Sequence, residues 1–170
     1  LIKENFLMAI PLTLNGVTYN YPENGEDPNW SEDATGLIVA IVDTLNTLVA
    51  PGDILSTTAT INDNVAVPVD VNGMNFDPTL VRATNVTYSI YRISTDNPSG
   101  NTEDGTIFLN YDNSAAPGSK WLLSQRTNGN SGVVFTITDL GQVQYVSNQI
   151  DNGGGGYSGV LNFAARSLSP

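Results

Sequence analysis

The sequence predicts a mainly β chain: an N-terminal β-hairpin plus one amphipathic helix, followed by an antiparallel β-sandwich or jelly roll of about eight strands. Three observations carry this prediction. Apolar residues alternate on both sides of Asn15-Gly16, an apolar stripe of helical period runs over 33–49, and short alternating segments recur from residue 53 onward. Alternation marks half-buried strands, and a spacing of three and four marks one face of a helix.

The hairpin covers 10–21. Leu12 and Leu14 alternate with Thr13, Asn15-Gly16 supplies the residues a type I′ turn requires, and Val17, Tyr19 and Tyr21 alternate again. A two-residue loop sets Leu14 opposite Val17 and Leu12 opposite Tyr19. Residues 22–30 then form a loop with two prolines, one glycine and three acids. Trp30 is the large apolar residue of that loop. It either caps a local cluster as a hydrophobic staple on the helix or makes an intersubunit contact.

The helix is predicted over 33–49. Ala34, Leu37, Ile38, Ile41, Leu45, Leu48 and Val49 fall on one stripe, with Ser31 or Asp33 as cap and Ala50-Pro51-Gly52 as terminator. Gly36, Thr44 and Thr47 weaken it, so packing must supply its stability.

Strands are predicted over 54–61, 65–71, 86–90, 106–111, 121–125, 133–138, 142–146 and 160–165. Pro68 demotes the second to an edge or irregular strand. Asn75-Phe76-Asp77-Pro78, Ala116-Pro117-Gly118, Asn128-Gly129, Leu140-Gly141 and Gly153 to Gly156 read as turns, and 96–105 as a polar loop. Eight short strands at this spacing suit a sandwich. The boundary is placed near 50–53, giving an N-terminal hairpin–helix module at 1–52 and a β-sandwich domain at 53–170.

Composition narrows the chemistry. The 170 residues contain no histidine and no cysteine. That removes imidazole bases, Ser-His-Asp and Cys-His machinery, thiolate metal sites and disulfides. Lys3 and Lys120 stand in no nucleophile motif. The net charge of −11, from 17 acidic against 6 basic residues, disfavours nucleic acid and anionic membranes as partners. The apolar run 37–42 is far short of the roughly 18–20 residues a membrane helix needs.

Glu103-Asp104 is the adjacent acidic pair of the strand region, and its place in a loop reads as solvated surface rather than a glycosidase pair. Asn62-Asp63-Asn64, Asp70-Val71-Asn72-Gly73 and Asp151-Asn152-Gly153 read as turns rather than calcium loops. The glycine run lacks the Lys-Ser/Thr and helix of a phosphate loop. Asn29-Trp30-Ser31 and Asn85-Val86-Thr87 match glycosylation sequons, a pattern that arises often by chance. No catalytic residue, metal or cofactor is expected. Residues 1–7 precede a conventional start at Met8 and read as upstream sequence translated in frame or as the product of processing; an intact mass decides.

The stretch 12–22, then Gly25-Glu26-Asp27-Pro28-Asn29-Trp30, Asp33-Ala34-Thr35-Gly36 and the junction Pro51-Gly52-Asp53-Ile54 resemble the opening of tailed-bacteriophage virion structural proteins. The later stretches 133–138, 141–147, Tyr157-Ser158-Gly159 and Phe163-Ala164-Ala165-Arg166 resemble their C-terminal β-domain. The sequence departs at Leu37, where tryptophan is more usual. The resemblance implies a non-enzymatic particle-surface protein, a capsid decoration or head-fibre subunit, with a tail-fibre or receptor-binding subunit as the alternative. Its partners would be other virion proteins and copies of itself, a trimer by analogy. The N-terminal module would dock to the particle, with Tyr19, Tyr21, Pro22, Pro28 and Trp30 as candidate contacts. A carbohydrate-binding sandwich is a further alternative. It would need exposed aromatics such as Tyr91, Tyr111 or Trp121, which alternate as core residues do.

Overall fold

The structure is a computed structural model that describes residues 10–14, 17–21 and 30–170. The chain divides between Val49 and Ala50 into two units.

In the first unit, β1 (Ile10–Leu14) and β2 (Val17–Tyr21) pair antiparallel. Leu12 stands opposite Tyr19 and Leu14 opposite Val17, the register a two-residue connection dictates. Helix α1 (Trp30–Leu48) lies against β2 and, over a shorter stretch, β1. It starts three residues before the predicted Asp33, so Trp30 opens the helix instead of closing the loop. Ser31, Glu32 and Asp33 then occupy its first turn, where negative charge is favoured by the helix dipole. Pro22, Pro28, the Asn15-Gly16 turn and residues 1–7 lie outside the described residues.

The expected apolar stripe of α1 is divided. Gly36, Leu37, Ala40 and Thr44 are half-buried, whereas Ile38, Ile41, Leu45 and Val49 are exposed. The helix is apolar nearly all the way round from 37 to 42, so periodicity could not say which side would be covered. Small side chains at 36, 40 and 44 form the covered side, and the Thr44 hydroxyl donates back to the Ala40 carbonyl at 2.7 Å.

The second unit is an antiparallel β-sandwich. Its strands are β3 (Ile54–Thr60), β4 (Val69–Asn75), β5 (Ala83–Ile93), β6 (Asn101–Tyr111), β7 (Trp121–Gly129), β8 (Val133–Ile137), β9 (Gln142–Ser147) and β10 (Ser158–Leu168). One sheet has the order β3-β10-β5-β6-β7 and the other β4-β9-β8. Every described pairing is antiparallel.

Alternation explains the core. Along β5, Val86, Tyr88 and Ile90 point inward, and Leu161, Phe163 and Ala165 do so along β10. They meet Val71, Met74, Phe135, Val143 and Tyr145 from the smaller sheet. Tyr88 and Phe135 touch edge to face across the two sheets, with centroids 5.4 Å apart. Such a pair adds about 0.5–1.5 kcal/mol beyond area burial.

Several local expectations are corrected. The polar loop 96–105 is shorter, because β6 begins at Asn101 and pairs with β5 along its length. Hairpin pairing carries polar residues into the ladder whenever the partner strand is long enough. Arg92 belongs to β5 and is fully buried rather than lying beyond the strand. Asn128-Gly129 ends β7 instead of forming the turn. Gly129 has φ +90°, and a Cβ there would stand 2.4 Å from the Thr102 carbonyl oxygen. The glycine signal thus marks close backbone approach at a strand end. Phe76 is core, and the turn starts at Asp77, whose carbonyl accepts from the Leu80 and Val81 N–H groups. Strand β4 begins directly after Pro68, which has no N–H to give the ladder.

The Pro51-Gly52-Asp53-Ile54 junction has a physical basis within the second unit. Gly52 sits at φ +84°, where a Cβ would come within 2.1 Å of Val81. The Gly52 carbonyl accepts from the Ser167 hydroxyl at 2.8 Å. Asp53 accepts from the Ser167 N–H at 2.6 Å, the Arg166 guanidinium at 2.8 Å and the Ala50 N–H at 3.1 Å. The start of the sandwich is therefore tied to its last strand.

Candidate functional sites

Of the sequence-derived contact residues, Tyr19 and Tyr21 lie on β2, opposite Leu12 and Ile10, and Trp30 is the first residue of α1. The packing of α1 on β2 brings their elements together. What stands out in this unit is the uncovered side of α1. Ile38 is 62% exposed and Leu45 56%, and Val39, Ile41, Val42 and Val49 are exposed with them. A helix that is apolar on so many sides is ordinarily buried. Each such side chain, once covered, returns about 1–2 kcal/mol. This surface is chemically suited to binding another apolar surface.

In the sandwich, Glu103 overturns its expected place in a solvated loop. It is 6% exposed on β6 and accepts four hydrogen bonds. The Tyr88 hydroxyl donates to Oε1 at 2.6 Å and the Gln125 amide donates to the same oxygen at 3.2 Å. The Ser131 N–H and hydroxyl donate to Oε2 at 2.9 and 2.8 Å. Burial, and then the neighbouring carboxylate, push the Tyr88 hydroxyl well above the ordinary tyrosine range. With its oxygens filled from four directions, the Glu103 carboxylate is a structural acceptor. Asp104, the next residue, points to the outer face and takes a 3.3 Å bond from Asn128.

Arg92 organises the loops at one end. Its guanidinium donates to Asp63 at 2.8 Å, to the Ser131 carbonyl and Asn148 Oδ1 at 2.7 Å, to the Asn148 carbonyl at 2.6 Å and to the Tyr157 hydroxyl at 3.0 Å. Asp63 also receives the N–H groups of Ile150 and Asp151. Asp96 receives those of Asn152 and Gly154, and Asp151 those of Gly153 and Gly155. The acidic turns are therefore wrapped by backbone N–H donors, which is a structural use of carboxylates.

The outer face of the five-stranded sheet is set with small polar side chains. Thr58 donates to Asn162 across β3 and β10 at 2.8 Å, and the Arg126 guanidinium lies 5.7 Å from the Phe108 ring centroid. Tyr91 is exposed on this face, whereas Trp121 is buried and packs on Tyr111 at 5.1 Å. Trp121 is therefore a core residue and no sugar platform. Its Nε1 is buried without a hydrogen-bond partner among the described residues.

At the opposite end from the Arg92 loops, two shallow hollows of about 370 and 350 Å³ adjoin and share Arg82 and Tyr111. Lys120 lines the larger of them. Nothing in the sequence pattern marked this place, because its residues come from the ends of four different elements. No described helix is long and apolar enough to cross a membrane.

No family model and no curated protein matches the sequence. Among solved structures, the chain is similar to the tailspike protein of Acinetobacter phage vB_ApiP_P1, at 9% identity and a TM-score of 0.46. The likeness covers 68% of this chain and 22% of that one, so this chain spans about a fifth of the length of the protein it matches. By its own geometry the second unit is an eight-stranded β-sandwich preceded by a hairpin–helix unit with an uncovered apolar helix face.

Proposed function

We propose that the chain is a non-enzymatic structural subunit of a bacterial-virus particle, attached through its N-terminal unit with the sandwich carried outward. The observation that carries this is the apolar side of α1 left uncovered within its own unit, which asks for a partner surface. The sequence segments resembling virion proteins, which include Asp33-Ala34-Thr35-Gly36 in α1 and the Pro51-Gly52-Asp53-Ile54 junction, support the same reading.

Self-association belongs to this proposal. Ala34, Ile38, Ile41, Leu45 and Leu48 follow a four-three-four-three spacing, and the flanking positions 35, 37, 42 and 44 are uncharged. Glu32, Asp33 and Asp43 all fall on the outer positions of that heptad. In a chain of net charge −11, this seam is one along which copies meet without repulsion. Isoleucine at consecutive seam positions favours three or four strands over two, and a trimer is the state proposed. The contact residues Tyr19, Tyr21, Pro22, Pro28 and Trp30 are proposed to border the docked surface.

Capsid decoration or head-fibre attachment is one placement of such a subunit. A tail-fibre, receptor-binding placement is the second, and the cationic hollows of the sandwich favour it. Quantitative mass spectrometry of gradient-purified particles tests membership. The chain is expected at a fixed multiple of the major capsid protein, and its absence from infectious particles contradicts the proposal.

A further inference from the structure

The described residues include five cations: Arg82, Arg92, Lys120, Arg126 and Arg166. Three are engaged. Arg92 is bound to Asp63, Arg166 to Asp53, and Arg126 lies over Phe108. The remaining two, Arg82 and Lys120, form no ion pair with any described residue, and both line the same hollow.

Their positions are fixed by the ladder. The Tyr111 N–H donates to the Arg82 carbonyl at 2.9 Å, the Asp112 N–H to the Lys120 carbonyl at 2.8 Å, and the Arg82 N–H to the Leu168 carbonyl at 2.8 Å. Arg82 leads into β5, Tyr111 ends β6 and Lys120 leads into β7, three neighbouring strands. Two strand spacings, about 10 Å, separate the backbones that carry the two cations. On the strand between them is Tyr111, half-buried against the core beside its cross-strand partner Trp121, with its hydroxyl donating to Asn113 at 3.2 Å.

The nearby acids are turned to other work. Asp112 Oδ1 takes the Ser114 N–H at 2.9 Å and hydroxyl at 2.6 Å, and these bonds hold its carboxyl below the usual range. Asp139 takes the Gly118 and Lys120 N–H groups, which lower it likewise. Arg82 lies within electrostatic reach of Asp112, and Lys120 of Asp139, without an ion pair in either case.

We propose that the hollow framed by Arg82, Tyr111 and Lys120 binds an anionic saccharide, with a carboxylate or sulfate on the guanidinium and a sugar ring against Tyr111. Arginine supplies a fork that matches a carboxylate in two parallel bonds, lysine supplies a second charge, and an aromatic face suits the C–H side of a sugar. Asn110 and Ser119, at the same hollow, provide hydrogen-bonding groups for ring hydroxyls. The inference rests on the receptor-binding form of the proposed function and names its ligand class.

The test is a titration of the isotopically labelled full chain, followed by amide chemical shifts. The probes are an oligogalacturonate, its neutral methyl ester and a sulfated oligosaccharide. The acidic probes are expected to shift residues around 82, 111 and 120, and R82Q/K120Q is expected to weaken binding about tenfold or more. R126Q, on the outer sheet face, serves as the control for losing a positive charge elsewhere on the sandwich and should leave binding unchanged. Unchanged unfolding midpoints show that both variants fold. Which acidic probe binds distinguishes a carboxylate from a sulfate ligand. Equal shifts from the neutral ester overturn the anionic assignment while leaving a glycan-receptor role standing. Binding that survives R82Q/K120Q overturns the site, and no shift from any probe overturns the inference, whereas particle membership is decided separately by mass spectrometry.

Discussion

Glu103 shows how far a single carboxylate can shape this fold. Four donors converge on it from β5, β7 and the Ser131 turn. Replacing it with alanine strands the Ser131 N–H and the Tyr88 hydroxyl in the interior. Glu103→Ala is therefore expected to destabilise the sandwich by about 3 kcal/mol or more, and Glu103→Gln by less, measured by urea unfolding. Arg92 is the cationic counterpart. Arg92→Met leaves Asp63 and the Ser131 and Asn148 carbonyls without their shared donor, with an expected loss of about 3–5 kcal/mol. Neither residue was legible in the sequence. An Asn-Thr-Glu-Asp-Gly run looks like a loop until strand pairing with β5 is known, and an arginine at a strand end looks exposed until three loops close over it.

At the scale of elements, the strands were largely legible because alternation is a local property. Val86, Tyr88 and Ile90 announce the inner face of β5 without any tertiary information, and so do Val143 and Tyr145 on β9. Leu14 opposite Val17 followed from the two-residue turn alone. What escaped was decided by partners: the start of β6, the end of β7 and the covered side of α1. The helix carries the most direct prediction. Ile38→Asp/Leu45→Asp places charge on the exposed seam without touching the side formed by Gly36, Ala40 and Thr44. Light scattering is expected to show a trimer for the parent chain and a monomer for the variant, with the thermal unfolding of the sandwich unchanged. A variant that stays trimeric would move the assembly surface elsewhere.

At the scale of the molecule, charge sets the response to pH. Burial pushes the Asp53 carboxyl up, but the Ser167 N–H, Arg166 and the Ala50 N–H outweigh it and hold the carboxyl below its ordinary value of 3.8. Asp77, Asp112 and Asp139 are held low by their hydroxyl and N–H donors. A carboxyl with a depressed folded pKa contributes stability that is complete above its unfolded pKa and lost as the pH falls through the folded one. With no histidine in the chain, the urea midpoint is expected to stay level from about pH 5.5 to 7 and to fall below about pH 4. A midpoint that drops between pH 7 and 6 would contradict this.

A sandwich fastened by buried polar residues, with its first turn tied to its last strand, is a self-sufficient body, and the apolar helix of the first unit is not. Labelling intact particles with an antibody to the sandwich, followed by electron microscopy, tests this most directly. The account predicts label at fixed sites on the particle surface and its loss when Ile38→Asp/Leu45→Asp replaces the parent chain. Particles that contain no label, or that retain it with the substituted helix, would contradict it.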